Sequence, residues 1–270
     1  MEVEIYRMVL TKKTAIIVPC YNEAKRLNRD AFLDFLKGDK NLHFLFVNDG
    51  SRDTTLDLLI SLQKANPTQI SYLNLEKNSG KAEAVRQGLM KTLELDYINI
   101  GYWDADLATP LYAINNFCRI LDTSDNNLVI GSRVRLLGRT IKRHAMRHYM
   151  GRVFATFASL VLQIPIYDTQ CGAKIFKKTD SLKKSLKKPF SVNWTFDVEL
   201  LARLALIERA RGVKEPESTW VEYPLEEWAD VKGSKVGWKD FISGGLECLK
   251  IFSLLHLPGR KDRYLASLID

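Results

Sequence analysis

The first 130 residues alternate short apolar runs with segments of helical period, and each apolar run ends in a polar turn. Ala15–Val18 (AIIV) runs into Pro19-Cys20-Tyr21-Asn22-Glu23, and Phe44–Val47 (FLFV) into Asn48-Asp49-Gly50-Ser51. Ser71–Leu75 (SYLNL) precedes Lys77-Asn78-Ser79-Gly80-Lys81, and Tyr97–Trp103 precedes Asp104-Ala105-Asp106. Between these runs apolar residues recur at helical spacing: Leu56, Leu59 and Ile60 behind an Asp53 cap, then Ala84, Val85 and Leu89. Strand, helix, strand in this rhythm predicts an α/β fold, a mostly parallel central sheet with helices on both faces. Ligands bind such sheets beyond the carboxyl ends of the strands, so the four polar turns are expected around one site.

The second half has fewer regular units. Thr140–Leu162 predicts one long helix, basic at its start and apolar towards its end, followed by a short strand near Ala173–Phe176. Trp194–Ala210 predicts a strongly amphipathic helix and Trp220–Leu225 a strand. Trp238–Leu257 predicts a last amphipathic helix, with Phe241, Ile242, Leu246, Leu249, Ile251, Phe252, Leu254 and Leu255 as its apolar set. No internal repeat and no low-complexity linker interrupts the chain, so residues 1–270 are expected to form a single domain.

Composition narrows the class. With 46% hydrophobic residues, 15 Gly and 8 Pro in 270, the chain can bury a core, and disorder and collagen-like repetition are excluded. The longest nearly uncharged stretch, Val153–Tyr167, is too short to span a bilayer and contains Gln163 and Pro165. The start, MEVEIYRMVLTKK, has acids where a signal peptide has a basic segment, so export is not expected. Cys20, Cys118, Cys171 and Cys248 form no CxxC pair, which argues against zinc and a disulfide framework and points to the reducing cytoplasm. No histidine lies near Cys20 or Cys171 in sequence, so both read as small buried residues.

Charge is unevenly placed. Residues 1–130 carry 15 Lys/Arg against 17 Asp/Glu, and residues 131–270 carry 25 against 15. From Arg133 to Arg152 seven cations (Arg133, Arg135, Arg139, Lys142, Arg143, Arg147, Arg152) occur without one acid between them. Such a block seeks phosphate in a nucleic acid, a lipid headgroup or an anionic substrate; a solvated helix face is the plain alternative, with His144 and His148 as exposed members of it.

Asp104 and Asp106 are the sharpest chemical feature. Residues i and i+2 project to one side of an extended chain, so both carboxylates can face one hard cation, Mg2+ or Mn2+, that also holds substrate phosphates. A turn with a helix cap before Thr109-Pro110 is the structural alternative, and it leaves unexplained Asp49 at the end of the second strand, a third acid that could converge on the pair. Lys77–Lys81 ends a strand and opens a helix, so its backbone N–H groups and a lysine are candidates for an anion; a simple turn is equally consistent.

Taken in order, IIVPCYNE, FVNDGSRDTT, NSGKAEAVRQG, DADLATP, IGSR, DTQCGAKIF, WTFDVELL and EEWADVKGSKV resemble the family 2 nucleotide-sugar glycosyltransferases. The branch is similar to the polyprenyl-phosphate glycosyltransferases, in particular the dolichyl-phosphate β-glucosyltransferase type. The resemblance runs from about Thr14 to about Leu255. It implies a GT-A fold, a nucleotide diphosphate sugar donor (UDP-glucose in this branch), a divalent cation, inversion at the anomeric carbon and a polyprenyl or dolichyl phosphate acceptor. Residues 1–130 would then be the nucleotide-sugar half and 131–270 the acceptor half.

Carried over by position, the resemblance assigns Pro19, Tyr21, Glu23, Asp49, Gly80 and Lys81 to the donor, with Asp104, Ala105 and Asp106 on its ribose and metal-diphosphate side. Ala108 stands where mannosyl relatives place a metal-binding glutamine, which leaves the third metal ligand open between another protein group and water. Arg133 matches an SR motif; Arg143 and Arg147 match residues for the acceptor phosphate, Gln170 would line the sugar pocket, and Ser234 and Lys235 match a loop that closes over phosphate. A lipid phosphate needs no strong base, so Asp197 would orient the acceptor or its arginines; with a saccharide hydroxyl acceptor, the second reading, it would be the base. Asp197 and Glu199 also suit the acidic first turn of a helix, and Trp194 reads as a core aromatic. A polyprenyl acceptor places the protein at the membrane face, through the Arg139–Leu162 segment and the C-terminal amphipathic helix; packing on the sheet or in a homodimer is the alternative for both. A nucleic-acid-binding protein built on Arg133–Arg152 is the remaining reading, ranked last because it leaves the three acids unexplained.

Overall fold

The computed structural model describes residues 10–142, 145–230 and 238–269, with the side chains of 145–148 and 238–242 outside that description. Strands β1 (Thr14–Cys20), β2 (Leu42–Asp49), β3 (Ile70–Leu75) and β4 (Asn99–Trp103) are joined by α1 (Arg29–Leu36), α2 (Thr55–Ala65) and α3 (Lys81–Leu93). β1 pairs in parallel with β2 and β4, and β2 with β3. Alternation within β1 explains the layering: Ala15 and Ile17 face the core that contains α3, whereas Ile16 and Val18 face the core under α1 and α2. β1, β2 and β4 are buried on both faces, which is why their apolar runs are continuous, whereas β3 at the sheet edge is only partly buried.

The chain continues through α4 (Ala113–Thr123), β5 (Leu128–Ser132), β6 (Thr140–Lys142), α5 (Ala145–Leu162), β7 (Ala173–Lys177), α6 (Asp180–Ser185), α7 (Phe196–Ala210), β8 (Trp220–Pro224), β9 (Glu227–Ala229), α8 (Trp238–His256) and α9 (Arg260–Ile269). The main sheet has the order β3-β2-β1-β4-β7-β5-β8 and is parallel except for β7, which runs antiparallel to both neighbours. That inversion positions the site. Because Ala173 pairs with Trp103, the segment entering β7 lies beside the carboxyl end of β4, and the Asp104 N–H donates to the Gly172 carbonyl at 3.0 Å.

Several sequence expectations change. The helix expected from Thr140 starts at Ala145, because Thr140–Lys142 pairs in parallel with β9 as a two-stranded ribbon. Thr54 is the residue flanking α2, while the Asp53 carboxylate accepts the Thr55 N–H at 3.0 Å. α7 is not amphipathic: all twelve residues from Phe196 to Ile207 are buried. Its polar members are satisfied inside. Arg203, 1% exposed, pairs with Glu199 at 2.6 Å and donates to the carbonyls of Ser185, Lys188 and Pro189. Glu199 also accepts from the backbone of Ser191 and Val192, and Glu247 of α8 accepts the Thr195 N–H at 2.8 Å, so the 187–195 segment is clamped from two helices.

α8 is not the last helix, and its apolar set is split. Ile251 and Leu255 are buried with Cys248, whereas Leu246, Leu249 and Phe252 are 64%, 54% and 41% exposed. Trp238, Phe241 and Ile242 lie among the undescribed side chains. α5 is likewise apolar on two faces: Phe154, Ala158 and Val161 are buried, and Tyr149, Val153 and Leu160 are each about 70% exposed.

Candidate active site

A cavity of about 620 Å³ opens at the carboxyl ends of β1, β2 and β4. Its wall includes every expected site residue whose side chain is described: Pro19, Tyr21, Glu23, Asp49, Gly80, Lys81, Asp104, Ala105, Asp106, Arg133, Gln170 and Asp197. Arg143, Ser234, Lys235 and the side chain of Arg147 lie outside the described residues, as do His144 and the side chain of His148.

Asp104 follows β4 directly, and its Oδ1 accepts from the Lys81 ammonium, at the start of α3, at 2.5 Å. Burial works against the Lys81 charge, but Asp104, Asp197 and Asp106 more than offset it and hold its pKa above the ordinary lysine value. Burial and the Asp104 charge push the Asp106 carboxyl above its ordinary value, against the Ala108 N–H, Lys81 and Arg26. A half-buried carboxyl raised by its neighbour's charge belongs to a donor set that a hard divalent cation relieves, so Asp104 and Asp106 fit such an ion. Among the described residues no group of three His, Cys, Asp or Glu could hold a metal, and Ala108 contributes its N–H to Asp106 at 3.1 Å.

Gly172 sets the far wall of this pair. A Cβ built on it would lie 2.5 Å from Asp104 Oδ1 and closer still to Oδ2, so the DTQCG turn presses its backbone against the carboxylate as no other residue type allows.

Asp49 does not join the other two acids. Its carboxylate accepts the N–H groups of Ser79 at 2.7 Å and Gly80 at 2.9 Å, and the Asn78 amide at 3.0 Å. The N–H groups expected to meet a ligand anion therefore already meet an internal one. Gly50 allows the close approach: its φ is +60°, and a Cβ there would fall 2.8 Å from Lys77 Cα.

Two cations of the acid-free run, Arg133 and Arg139, are paired through the fold. Arg133 grips Asp168 with Nε and Nη2, both at 2.7 Å, and that carboxylate holds its pKa above the ordinary value although burial opposes the charge. Arg139 lies 3.3 Å from Glu226. Arg26, which sequence reasoning missed, also lines the cavity and pairs with Glu23.

Asp197 enters from the start of α7 and is 3% exposed. Its Oδ1 accepts from Lys174 Nζ at 2.5 Å and from the Tyr102 hydroxyl. Among the described residues no arginine reaches it. Lys174, fully buried in β7, also donates to the carbonyls of Thr169 and Cys171 at 3.0 and 2.7 Å, and so ties the DTQCG turn to the Asp197 corner. Thr169 Oγ1 and Gln170 Nε2 are buried beside the cavity with no hydrogen-bond partner, the state expected of groups that await a polar ligand. Trp194 packs half-buried against the core, as expected, and also forms part of the cavity wall. It lies edge-on to Phe154 at 5.2 Å.

The family model described as "Glycosyl transferase family 2" matches residues 15–183. A dolichyl-phosphate beta-glucosyltransferase of Trichomonas vaginalis is 30% identical over 257 residues, 91% of this chain and 74% of that protein. The dolichyl-phosphate beta-glucosyltransferase of Saccharomyces cerevisiae is 29% identical over 82% of this chain and 68% of its own, and the polyprenol monophosphomannose synthase of Mycolicibacterium smegmatis is 26% identical over 80% of both. Among solved structures, glucosyl-3-phosphoglycerate synthase from Mycobacterium tuberculosis with Mn2+, UDP-glucose and phosphoglyceric acid superposes with a TM-score of 0.60 at 14% identity, covering 90% of this chain and 79% of that one. That likeness shows a common fold, GT-A.

Proposed function

The chain belongs to glycosyl transferase family 2, and from that premise we propose that it transfers a hexose, glucose in the first instance, from a nucleotide diphosphate sugar to a polyprenyl or dolichyl phosphate with inversion. The observation that carries the reading is the single cavity in which strand-end acids, the Lys81 cation and the DTQCG turn meet. Residues 1–130 bind the donor and 131–270 the acceptor, within one domain. Pro19, Tyr21, Glu23, Gly80, Lys81 and Ala105 surround the nucleotide, and Asp49 shapes that wall through the 78–80 loop.

Asp104 and Asp106 would hold the divalent cation, which would offset the charge of the leaving diphosphate. A lipid phosphate has a second pKa near 6, so its oxygen is already nucleophilic at neutral pH. That oxygen attacks the anomeric carbon, the bond from that carbon to the β-phosphate oxygen breaks, and the nucleoside diphosphate leaves with the electron pair. The protein's part is placement and charge. Lys81 lies where it reaches the diphosphate side. Gln170 and Thr169 offer unpartnered groups to sugar hydroxyls. Asp197, engaged by Lys174 and Tyr102, acts as a positioning residue and fixes the corner against which the acceptor is held. Arg143, Arg147, Ser234 and Lys235 complete the acceptor site.

The acceptor's tail brings the protein to a membrane surface. Among the described residues no helix is long and apolar enough to cross a bilayer. α5 and α8 pack together, with Tyr149, Val153 and Leu160 on one and Leu246, Leu249 and Phe252 on the other turned outward. An exposed apolar face beside the cavity suits contact with lipid, and we place it at the cytoplasmic face of a bilayer. The test of the whole reading is transfer from radiolabelled UDP- and GDP-hexoses, with Mg2+ or Mn2+, into organic-extractable polyprenyl phosphate. Label in the lipid phase supports it and names the donor; donor hydrolysis without lipid label overturns the acceptor assignment in favour of a saccharide hydroxyl.

A further inference from the structure

Four cations line the cavity among the described residues, and three are neutralised by a carboxylate: Arg26 by Glu23, Lys81 by Asp104 and Arg133 by Asp168. The fourth, Arg152 of α5, has no carboxylate partner among the described residues. Its contacts are the Tyr167 carbonyl, to which Nη1 donates at 3.0 Å, and the Tyr167 ring, 3.4 Å from the guanidinium carbon. A carbonyl and a ring face orient a guanidinium without cancelling its charge, and the rest of its fork stays available to an anion. The perch is itself fixed, because Glu222 accepts the N–H groups of Tyr167 at 2.7 Å and Asp168 at 2.8 Å.

Placement selects the anion. Arg152 lies on α5, which packs on α7 and α8, whereas Lys81 opens α3 and Asp104 follows β4; its sequence neighbour Val153 is 69% exposed on the outward apolar face of the same helix. One turn of α5 thus presents a cation inward and aliphatic surface outward, the complement of an amphiphile with a phosphate head. We infer that Arg152 is the charge that receives the acceptor's phosphate; this rests on the proposed function and adds to it a residue outside the motifs that define the family resemblance. Arg is suited to the role because its fork meets two phosphate oxygens at once, which an ammonium cannot do.

The experiment uses the whole chain and the variants Arg152→Gln and Arg152→Lys, with farnesyl phosphate and farnesol as probes. Binding is followed by quenching of the cavity tryptophans Trp194 and Trp228. The wild type is expected to prefer the phosphate, Arg152→Gln to lose about 10- to 100-fold in phosphate affinity, the loss of one charge-assisted contact, and Arg152→Lys to fall between. In turnover the acceptor KM rises in Arg152→Gln while the donor KM and UDP affinity stay unchanged. The inference is overturned by a wild type without preference for the phosphate, by equal phosphate affinity in Arg152→Gln, or by a change in the donor constants instead, which would place Arg152 on the diphosphate or in a merely structural role. A phosphate preference that depends on Arg152, with no lipid labelling by the wild type from any donor, would refute the proposed reaction and leave this anion site standing.

Discussion

Gly172→Ala separates activity from stability at one atom. The added Cβ would lie 2.5 Å from Asp104 Oδ1, whereas carbon needs about 3.5 Å to a non-bonded heavy atom, so the carboxylate must retreat by roughly 1 Å or more. Gly172 is absent from the positive-φ glycines, so alanine adds no backbone strain and the conflict is steric. A side-chain carboxylate can swing away, which keeps the stability loss near the overpacking range of about 1–3 kcal/mol. Its retreat breaks the 2.5 Å contact with Lys81 and moves one of the two acids offered to the cation. Displacement of a reacting constellation by about 1 Å lowers the rate on the order of 100-fold, about 2.7 kcal/mol of barrier. The assay is the initial rate of lipid labelling at saturating donor and acceptor, beside thermal unfolding followed by circular dichroism. Gly245→Ala, with nothing within 4 Å of its new Cβ, serves as the control and should keep the rate. A folded Gly172→Ala protein that turns over at the wild-type rate would refute the claim that this carboxylate's position is critical.

Other outcomes follow from the same geometry. Asp106→Ala should abolish transfer with the fold intact, and turnover that persists with added Mn2+ would remove Asp106 from the site. Leu246→Asp with Leu249→Asp, at exposed positions, should leave the melting temperature unchanged and reduce co-sedimentation with anionic vesicles; full sedimentation would show that this face does not meet lipid. Arg203→Met strands the buried Glu199 carboxylate and should cost about 3–5 kcal/mol in urea unfolding, so a loss below about 1 kcal/mol would mean the carboxylate finds other partners. Burial raises Cys118 and Cys248 to about 12 and Cys171 to about 11, and it raises Cys20 as well. A thiol reagent at neutral pH should therefore label no cysteine in the folded protein and all four in urea; rapid labelling of any one before unfolding contradicts its burial.

The first half of the chain was legible because its signals are local. β1 to β4 are apolar runs closed by polar turns, and Asp49, Lys81, Asp104 and Asp106 sit in those turns, so strand order alone brings them to one edge. Where partners come from distant sequence, the sequence misleads. Thr140–Lys142 reads as the start of a helix until Glu227–Ala229 pairs with it. Arg133 reads as an unneutralised cation until Asp168 reaches it across 35 residues. The convergence of Asp49 with the other acids failed because the 78–80 N–H groups claimed its carboxylate first. α7 reads as amphipathic because Asp197, Glu199 and Arg203 break its apolar run, yet each is satisfied internally. α9 went unseen because it opens with Arg260-Lys261-Asp262-Arg263. Lys174 gave no signal, since a lysine between Ala173 and Ile175 looks like an outward strand position, and Trp194, read as a core aromatic, gave none of its place in the cavity wall.

The inverted strand has a consequence for how the chain is made. β1 to β4 can pair as soon as Trp103 has left the ribosome, but β5 ends at Ser132 and its neighbour β7 is complete at Lys177. At roughly 5–20 residues per second, the intervening synthesis takes about 2–9 s. Throughout that interval the nascent chain carries two open, apolar strand edges at once, Asn99–Trp103 and Leu128–Ser132, both destined for complete burial. Such edges are templates for pairing with other chains, and the arrival of β7 between them closes both in one event. The segment that shapes the candidate site is thus also the one whose late emergence closes the gap between β4 and β5, while the other edge of β5 waits for β8.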